Sequence, residues 1–104
     1  MKHLFIINPT AGKGKALEYK DIIEAYFKDK DDEYDIKITD RPGHAIEILR
    51  DYDYNEECNV YSIGGDGTFN EVVNALRVQY NSLTPEEQAT FKPAIVFPVN
   101  NRLA

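Results

Sequence analysis

Gly64, Gly65 and Gly67 stand within four positions around a single acid, Asp66, and Thr68 and Asn70 follow at once. Glycines placed like this remove side chains where a flat or anionic part of a ligand approaches the backbone. If a helix starts here, Gly67, Thr68 and Phe69 offer backbone N–H groups at its positive end, and Thr68 and Asn70 add side-chain donors. Asp66 would repel a phosphate placed directly against it. In phosphate chemistry it works through Mg2+ or as a base toward an attacking hydroxyl. The same residues also suit a plain strand–turn–helix corner with Asp66 as N-cap, and "GGDGTFNE" alone does not choose between the two.

Two further stretches carry similar signals. In "NPTAGKGK", residues 8–15, Gly12 and Gly14 let the backbone turn sharply, and Lys13 and Lys15 bring positive charge. The spacing is neither G-x-x-x-x-G-K-[ST] nor G-x-G-x-x-G, so neither general nucleotide fingerprint claims it. An ordinary loop with exposed lysines fits as well. In "TDRPGHA", residues 39–45, Thr39 presents a hydroxyl, Gly43 permits a turn and His44 is read as a helix-start or packing residue rather than a base.

The elements that must position these stretches follow from periodicity. "KHLFIIN" is apolar at consecutive positions, as in a strand buried on both faces. From Ala16 a helical period sets in, with Leu17, Tyr19, Ile22, Ile23, Tyr26 and Phe27 as its expected inner stripe. "YDIKIT" alternates and reads as a second strand. A helix from His44 to Tyr52 is expected to turn Ile46, Ile48 and Leu49 inward. "CNVYSI" reads as a third strand, and a third helix carries Phe69, Val72, Val73, Leu76 and Tyr80 at helical spacing. "TPEE", residues 84–87, has Thr84 as cap, Pro85 at the first helical position and Glu87 to close a capping box. "AIVFP", residues 94–98, is the fourth strand. Strands alternating with helices predict an α/β fold in three layers, a mostly parallel sheet between helices. In such sheets ligands sit at the carboxyl ends of the strands, where all three stretches fall.

The chain has 104 residues and a net charge of −6, which fits one domain and speaks against nonspecific nucleic-acid binding or docking on an anionic bilayer. Cys58 is the single cysteine, so no internal disulfide forms. No apolar run reaches the roughly 20 residues of a membrane span, and Leu4–Ile7 is short for a signal-peptide core. A cytoplasmic protein is expected. Residues 16–35 hold eight acids against three lysines and read as a solvated surface, whereas residues 1–15 hold Lys2, Lys13 and Lys15 and no acid.

Taken together and in this order, "INPTAGKGK", "TDRPGHA" and "GGDGTFNEVVNAL" resemble the N-terminal part of the diacylglycerol kinase catalytic domain, the family of bacterial lipid kinases and sphingosine kinases. "GGDGT" is also shared with NAD kinases and phosphofructokinases; the other two motifs favour lipid kinases. The resemblance covers residues 3 to about 98. It implies an NAD kinase/diacylglycerol kinase-like N-terminal domain over residues 1–104, ATP and Mg2+ as cofactors, and phosphoryl transfer to a lipid hydroxyl. Carried over by matching motif, Asn8, Pro9, Thr10, Ala11 and Gly12 line the nucleotide, with Thr39 beside it. Gly64, Gly65, Asp66, Gly67, Thr68, Phe69 and Asn70 hold the phosphates, and Asp66 is tied to metal and catalysis.

The sequence departs from the family at its end. Pro-x-Gly-Thr-x-Asn-Asp is expected after the fourth strand, and "PVNNRLA" has Asn100 and Asn101 in place of Gly-Thr. The resemblance implies a β-sandwich domain that completes the family's cleft and serves its lipid; it is not expected within these residues, so the chain is expected to be inactive alone, with any membrane contact peripheral and made in a longer form. A second expectation is a non-catalytic kinase-like module that self-associates through the apolar face left bare. A third, a kinase of a soluble substrate such as NAD, is disfavoured by "NPTAGKGK".

Overall fold

The computed structural model describes residues 2–52, 57–91 and 93–99. Strand β1 (Lys2–Ile7) leads through a 3-10 helix (Ala11–Glu18) into α1 (Tyr19–Phe27). Then follow β2 (Glu33–Ile38), α2 (His44–Asp51), β3 (Cys58–Ile63), α3 (Asp66–Asn81), α4 (Pro85–Ala89) and β4 (Pro93–Val99). The strands form one sheet in the order β2-β1-β3-β4, and every pairing is parallel. The expected α/β architecture is what forms. β4 is two residues longer than "AIVFP", and the "NNRLA" departure lies outside the described residues.

The two-residue repeat of a strand divides the core into two layers. On β1, Leu4 and Ile6 point to one face, where they pack with Val60, Ala45, Leu49, Val72 and Leu76 beneath α2 and α3. Phe5 and Ile7 point to the other, with Ile63, Ala16, Ile23 and Phe27 beneath the 3-10 helix and α1. Leu4, Ile6 and Ile7 are wholly buried, which is why the strand reads as continuously apolar.

Three helical stripes differ from expectation. The first helix begins at Ala11 rather than Ala16, because residues 11–18 wind as a 3-10 helix containing Gly14 at φ +92°. Three residues per turn changes the phase on entry to α1. Only Ile23 and Phe27, four apart, are buried on α1, while Leu17, Ile22 and Tyr26 are exposed. On α2 the inner stripe is Ala45 and Leu49, again four apart, and Ile46 faces out. Small Ala45 is what touches α3. On α3, Val72, Ala75 and Leu76 are buried; Tyr80 is exposed, its ring set edge-on to Phe91 at 5.5 Å. The capping box of α4 forms as read: Thr84 Oγ1 accepts from Glu87 N–H, and Glu87 accepts from Thr84 N–H at 2.9 Å.

Candidate functional site

β1 and β3 are neighbours, but the chain leaves them toward opposite faces: β1 toward α1, β3 toward α3. Their carboxyl ends are therefore the switch point of the sheet, where a crevice opens. Asn8 and Gly64 are the first residues past those ends. Asn8 N–H donates to Ile63 O at 2.9 Å, and Thr39, just past β2, donates both its N–H and its hydroxyl to Ile7 O, at 2.9 and 3.2 Å. The three loops named from the sequence are thus fastened to one another at strand level.

Asn8 organises the crevice. Its Oδ1 accepts from the Thr10 N–H at 3.2 Å and the Thr10 hydroxyl at 2.9 Å, and its Nδ2 donates to Thr68 Oγ1 at 3.2 Å. Gly64 is buried beneath this contact. A Cβ there would lie 2.6 Å from Thr68 Oγ1, 2.9 Å from Thr68 Cβ and 3.2 Å from Asn8 Cβ. Gly64 is therefore required by a close approach within the protein, whereas a Cβ on Gly65 or Gly67 would meet nothing within 4 Å. Those two glycines leave open space on either side of Asp66.

Gly65, in extended conformation, is the N-cap of α3, and Asp66 is its first residue, so Asp66 does not take the N-cap position. The first helical bond here is Phe69 N–H to Gly65 O at 3.2 Å. The first-turn donors that precede it are the N–H groups of Asp66, Gly67 and Thr68. Phe69, expected to offer its N–H, has it engaged.

A cleft of about 450 Å3 lies between the loops. Of the residues named in advance, Asn8, Pro9, Thr10, Thr39, Gly67 and Thr68 line it. Gly64 supports its floor. Gly65 and Asp66 are exposed at the start of α3 beside it; Asn70 is exposed and Phe69 half-buried further along the helix. Ala11 packs against the α1-side core instead. Gly12 lies in the 3-10 helix, and Lys15, read as a source of charge, is exposed at its end.

The cleft also contains residues not named from the sequence: Asp40, Arg41, Pro42, Ala45 and Glu71. Arg41 donates to Asp40 at 2.5 Å and to Glu47, and these two acids hold its guanidinium firmly protonated. Asp40 N–H donates to His44 Nδ1 at 3.0 Å, so His44 fastens the start of α2, as read. Glu71 stood in the quoted motif, and its signal was position: three and four residues after Thr68 and Gly67, it lies on their face of the helix.

Among the described residues no three His, Cys, Asp or Glu gather to hold a metal, and no helix is long and apolar enough to cross a membrane.

A parallel sheet with a polar crevice at its switch point and a glycine-flanked helix start defines an open α/β domain with its crevice at the strand ends. Residues 2–95 match the model of the diacylglycerol kinase catalytic domain, and the chain belongs to that family. It is 33% identical over 98 residues to sphingoid long-chain bases kinase 1 of Arabidopsis thaliana, covering 91% of this chain and 12% of that protein. It is 34% identical over 76 residues to sphingoid long chain base kinase 4 of Schizosaccharomyces pombe, covering 72% and 17%. With human sphingosine kinase 1 the identity is 31% over 74 residues, covering 70% and 19%. The chain thus spans about a quarter or less of the length of the curated relatives it matches.

Proposed function

We propose that this chain is the nucleotide-binding part of a lipid kinase, taking ATP with Mg2+ for phosphoryl transfer to a lipid hydroxyl. The observation that carries the reading is the start of α3. First-turn N–H groups sit at the switch-point crevice, and the flanking glycines leave room for phosphate oxygens. Phosphoryl transfer asks a protein mainly for positioning and charge neutralisation, which backbone donors supply without reorganisation. Asn8, Thr10 and Thr39 line the remainder of the nucleotide's path. Asn8 holds Thr68 and Thr10 in place for it.

The donor set fits Mg2+ as kinases use it. That ion keeps several waters, shares phosphate oxygens and needs one or two carboxylates rather than a protein cage. Asp66, exposed at the first position of α3, is the carboxylate that would hold it and is the catalytic candidate. When bound, the ion neutralises charge on the transferring phosphate. The lipid hydroxyl is then presented by parts of the kinase beyond these residues, so the chain alone should not turn over. The same reading places it in the cytoplasm with its nucleotide.

Calorimetric titration with ATP, with and without Mg2+, tests this. Heat of binding and a raised melting temperature are expected; neither at about 1 mM nucleotide, an affinity of only about −4 kcal/mol, overturns it. Phosphatidic acid formed from diacylglycerol micelles by the chain alone would overturn the division of labour.

Ile46 and Val78, 46% and 69% exposed beside the groove between α2 and α3, favour a second reading, a kinase-like module that self-associates. Light scattering showing a strict monomer at high concentration would remove it.

A further inference from the structure

Helix α2 starts without a side-chain cap of its own. Its N-cap is Gly43, held at φ +81°, where a glycine is favoured and no side-chain oxygen is available. His44 N–H is used by Arg41 O at 3.2 Å and Ile46 N–H by Gly43 O at 3.1 Å. The donor between them belongs to Ala45, which is 1% exposed and packs into the core with Val72 and Leu76. An N–H on so well covered a residue is poorly reached by water and is best satisfied by a protein acceptor. The acceptor comes from the neighbouring helix: Glu71 Oε1, on α3, takes the Ala45 N–H at 3.0 Å.

This bond joins two walls of the cleft. One wall is Thr39–Pro42, which runs directly into α2; the other is the start of α3 at Gly67 and Thr68. Thr39 is fastened to β1 through Ile7 O, and Thr68 to the first loop through Asn8. The Glu71–Ala45 bond closes the third side of that frame. A carboxylate is the strongest acceptor for the place, since α2 presents its positive end there.

We propose that Glu71 is a positioning residue: acting through the Ala45 N–H, it sets the Thr39–Pro42 wall against the start of α3 and so fixes the width of the nucleotide cleft. The functional part rests on the nucleotide reading above; the positioning itself does not.

Three variants separate reach from charge. Glu71→Gln keeps a carbonyl acceptor at the same distance and loses the charge. Glu71→Asp keeps the charge but is one methylene shorter, so its oxygens fall outside hydrogen-bond range of Ala45. Glu71→Ala loses both. Positioning therefore predicts the order wild type, then E71Q, then E71D and E71A. Two quantities are measured on the chain: amide chemical shifts of the wall residues Thr39, Asp40, Arg41 and Gly43 without ligand, and the Kd for ATP with Mg2+.

In E71Q the shifts stay near those of wild type and the Kd rises by no more than about threefold. In E71D and E71A the amides of Thr39, Asp40, Arg41 and Gly43 move together and the Kd rises about tenfold, the scale of one buried donor left unpaired. A carboxylate acting by its charge on the ligand or on Mg2+ gives the reverse order, E71D above E71Q, and overturns the proposal. So do unchanged amides of Thr39, Asp40, Arg41 and Gly43 in E71D. If E71A does not fold, E71D and E71Q decide. If wild type binds no ATP, the nucleotide reading fails, and the amide shifts alone still decide the positioning.

Discussion

At the amino end of the sheet His3, Phe27, Asp32 and Tyr61 close on one another, whereas at the carboxyl end the strands finish at a cleft, with glycines and an exposed acid following β3. His3, at the start of β1, carries the amino-end cluster. Its Nε2 lies 3.0 Å from Asp32 Oδ2 and its Nδ1 lies 2.8 Å from the Tyr61 hydroxyl. The carboxylate can only accept, so in the neutral imidazole Nε2–H donates to Asp32 and Nδ1 accepts from Tyr61. The Phe27 ring lies 5.0 Å from His3 and 4.9 Å from Tyr34. Burial pushes the Tyr61 hydroxyl's pKa up, and the His3 hydrogen bond holds Asp32 below the usual carboxylate range. Here polar groups satisfy each other. At the carboxyl end, side chains are withdrawn from Gly65 and Gly67 and first-turn donors lie at a crevice. One end is closed on itself, the other is left open.

The comparison breaks if substitutions at the two ends have the same consequences. The largest loss of stability is expected from Phe27→Ala, which removes a ring packed against His3, Phe5 and Tyr34. A cost of about 3–5 kcal/mol in chemical denaturation is expected. ATP affinity under conditions where the protein stays folded should be unchanged. Gly64→Ala should be milder in stability, about 1–3 kcal/mol for an overpacked contact. Its added Cβ must displace Thr68 and strain the Asn8–Thr68 bond, so ATP affinity should fall as well. A G64A protein that binds ATP like wild type would remove Gly64 from the frame of the site. Asp66→Asn, at the exposed start of α3, should cost no more than about 1 kcal/mol, the scale of a carboxylate's interaction with a helix start. It should abolish the gain in ATP affinity that Mg2+ confers, about tenfold or roughly 1.4 kcal/mol, and calorimetry with and without the metal reads the difference.

How much of this was legible in the sequence depended on whether a local rule governed the residue. The strands were legible because a doubly buried parallel strand has to be apolar at successive positions, as Leu4 to Ile7 are. The Thr84–Glu87 box was legible because its acceptors and donors lie within one turn. Three loops at strand ends were legible as a set, and Asn8, Thr10, Thr39, Gly67 and Thr68 do meet at one cleft. The rest was decided by partners distant in sequence. Ile46 turns outward because Ala45 is the residue that fits against α3, and a helical period cannot tell which of two adjacent residues a neighbour will admit. Ile22 and Tyr26 turn outward because a 3-10 helix shifts the phase before α1 begins. Glu71 could be seen in its motif, but its bond to Ala45 spans 26 residues and exists only once α2 lies on α3. Gly64 reads like its neighbours in "GGDG", yet only the folded chain shows that it makes room for Thr68 rather than for a ligand.

The smallest expected effect sharpens the amino end. Asp32 is on the surface, and its lowered pKa comes first from the hydrogen bond to His3. A carboxyl whose folded pKa lies below its unfolded value of about 3.9 contributes stability that is fully present above the unfolded value. That stability is lost as pH falls through the folded one. Asp32→Asn should therefore cost little at very low pH, where the wild-type carboxyl is protonated too, and somewhat more from about pH 4 upward. Glu87, lowered by the Thr84 backbone and side-chain hydrogen bonds, contributes an acid dependence of the same sign in both proteins and cancels in the difference. The measurement is the difference in melting temperature between wild type and D32N, followed from neutral pH to about pH 2.5. It should shrink as pH falls below about 4; a constant difference would mean that the His3–Asp32 contact is electrostatically idle, leaving the amino end held by its rings alone.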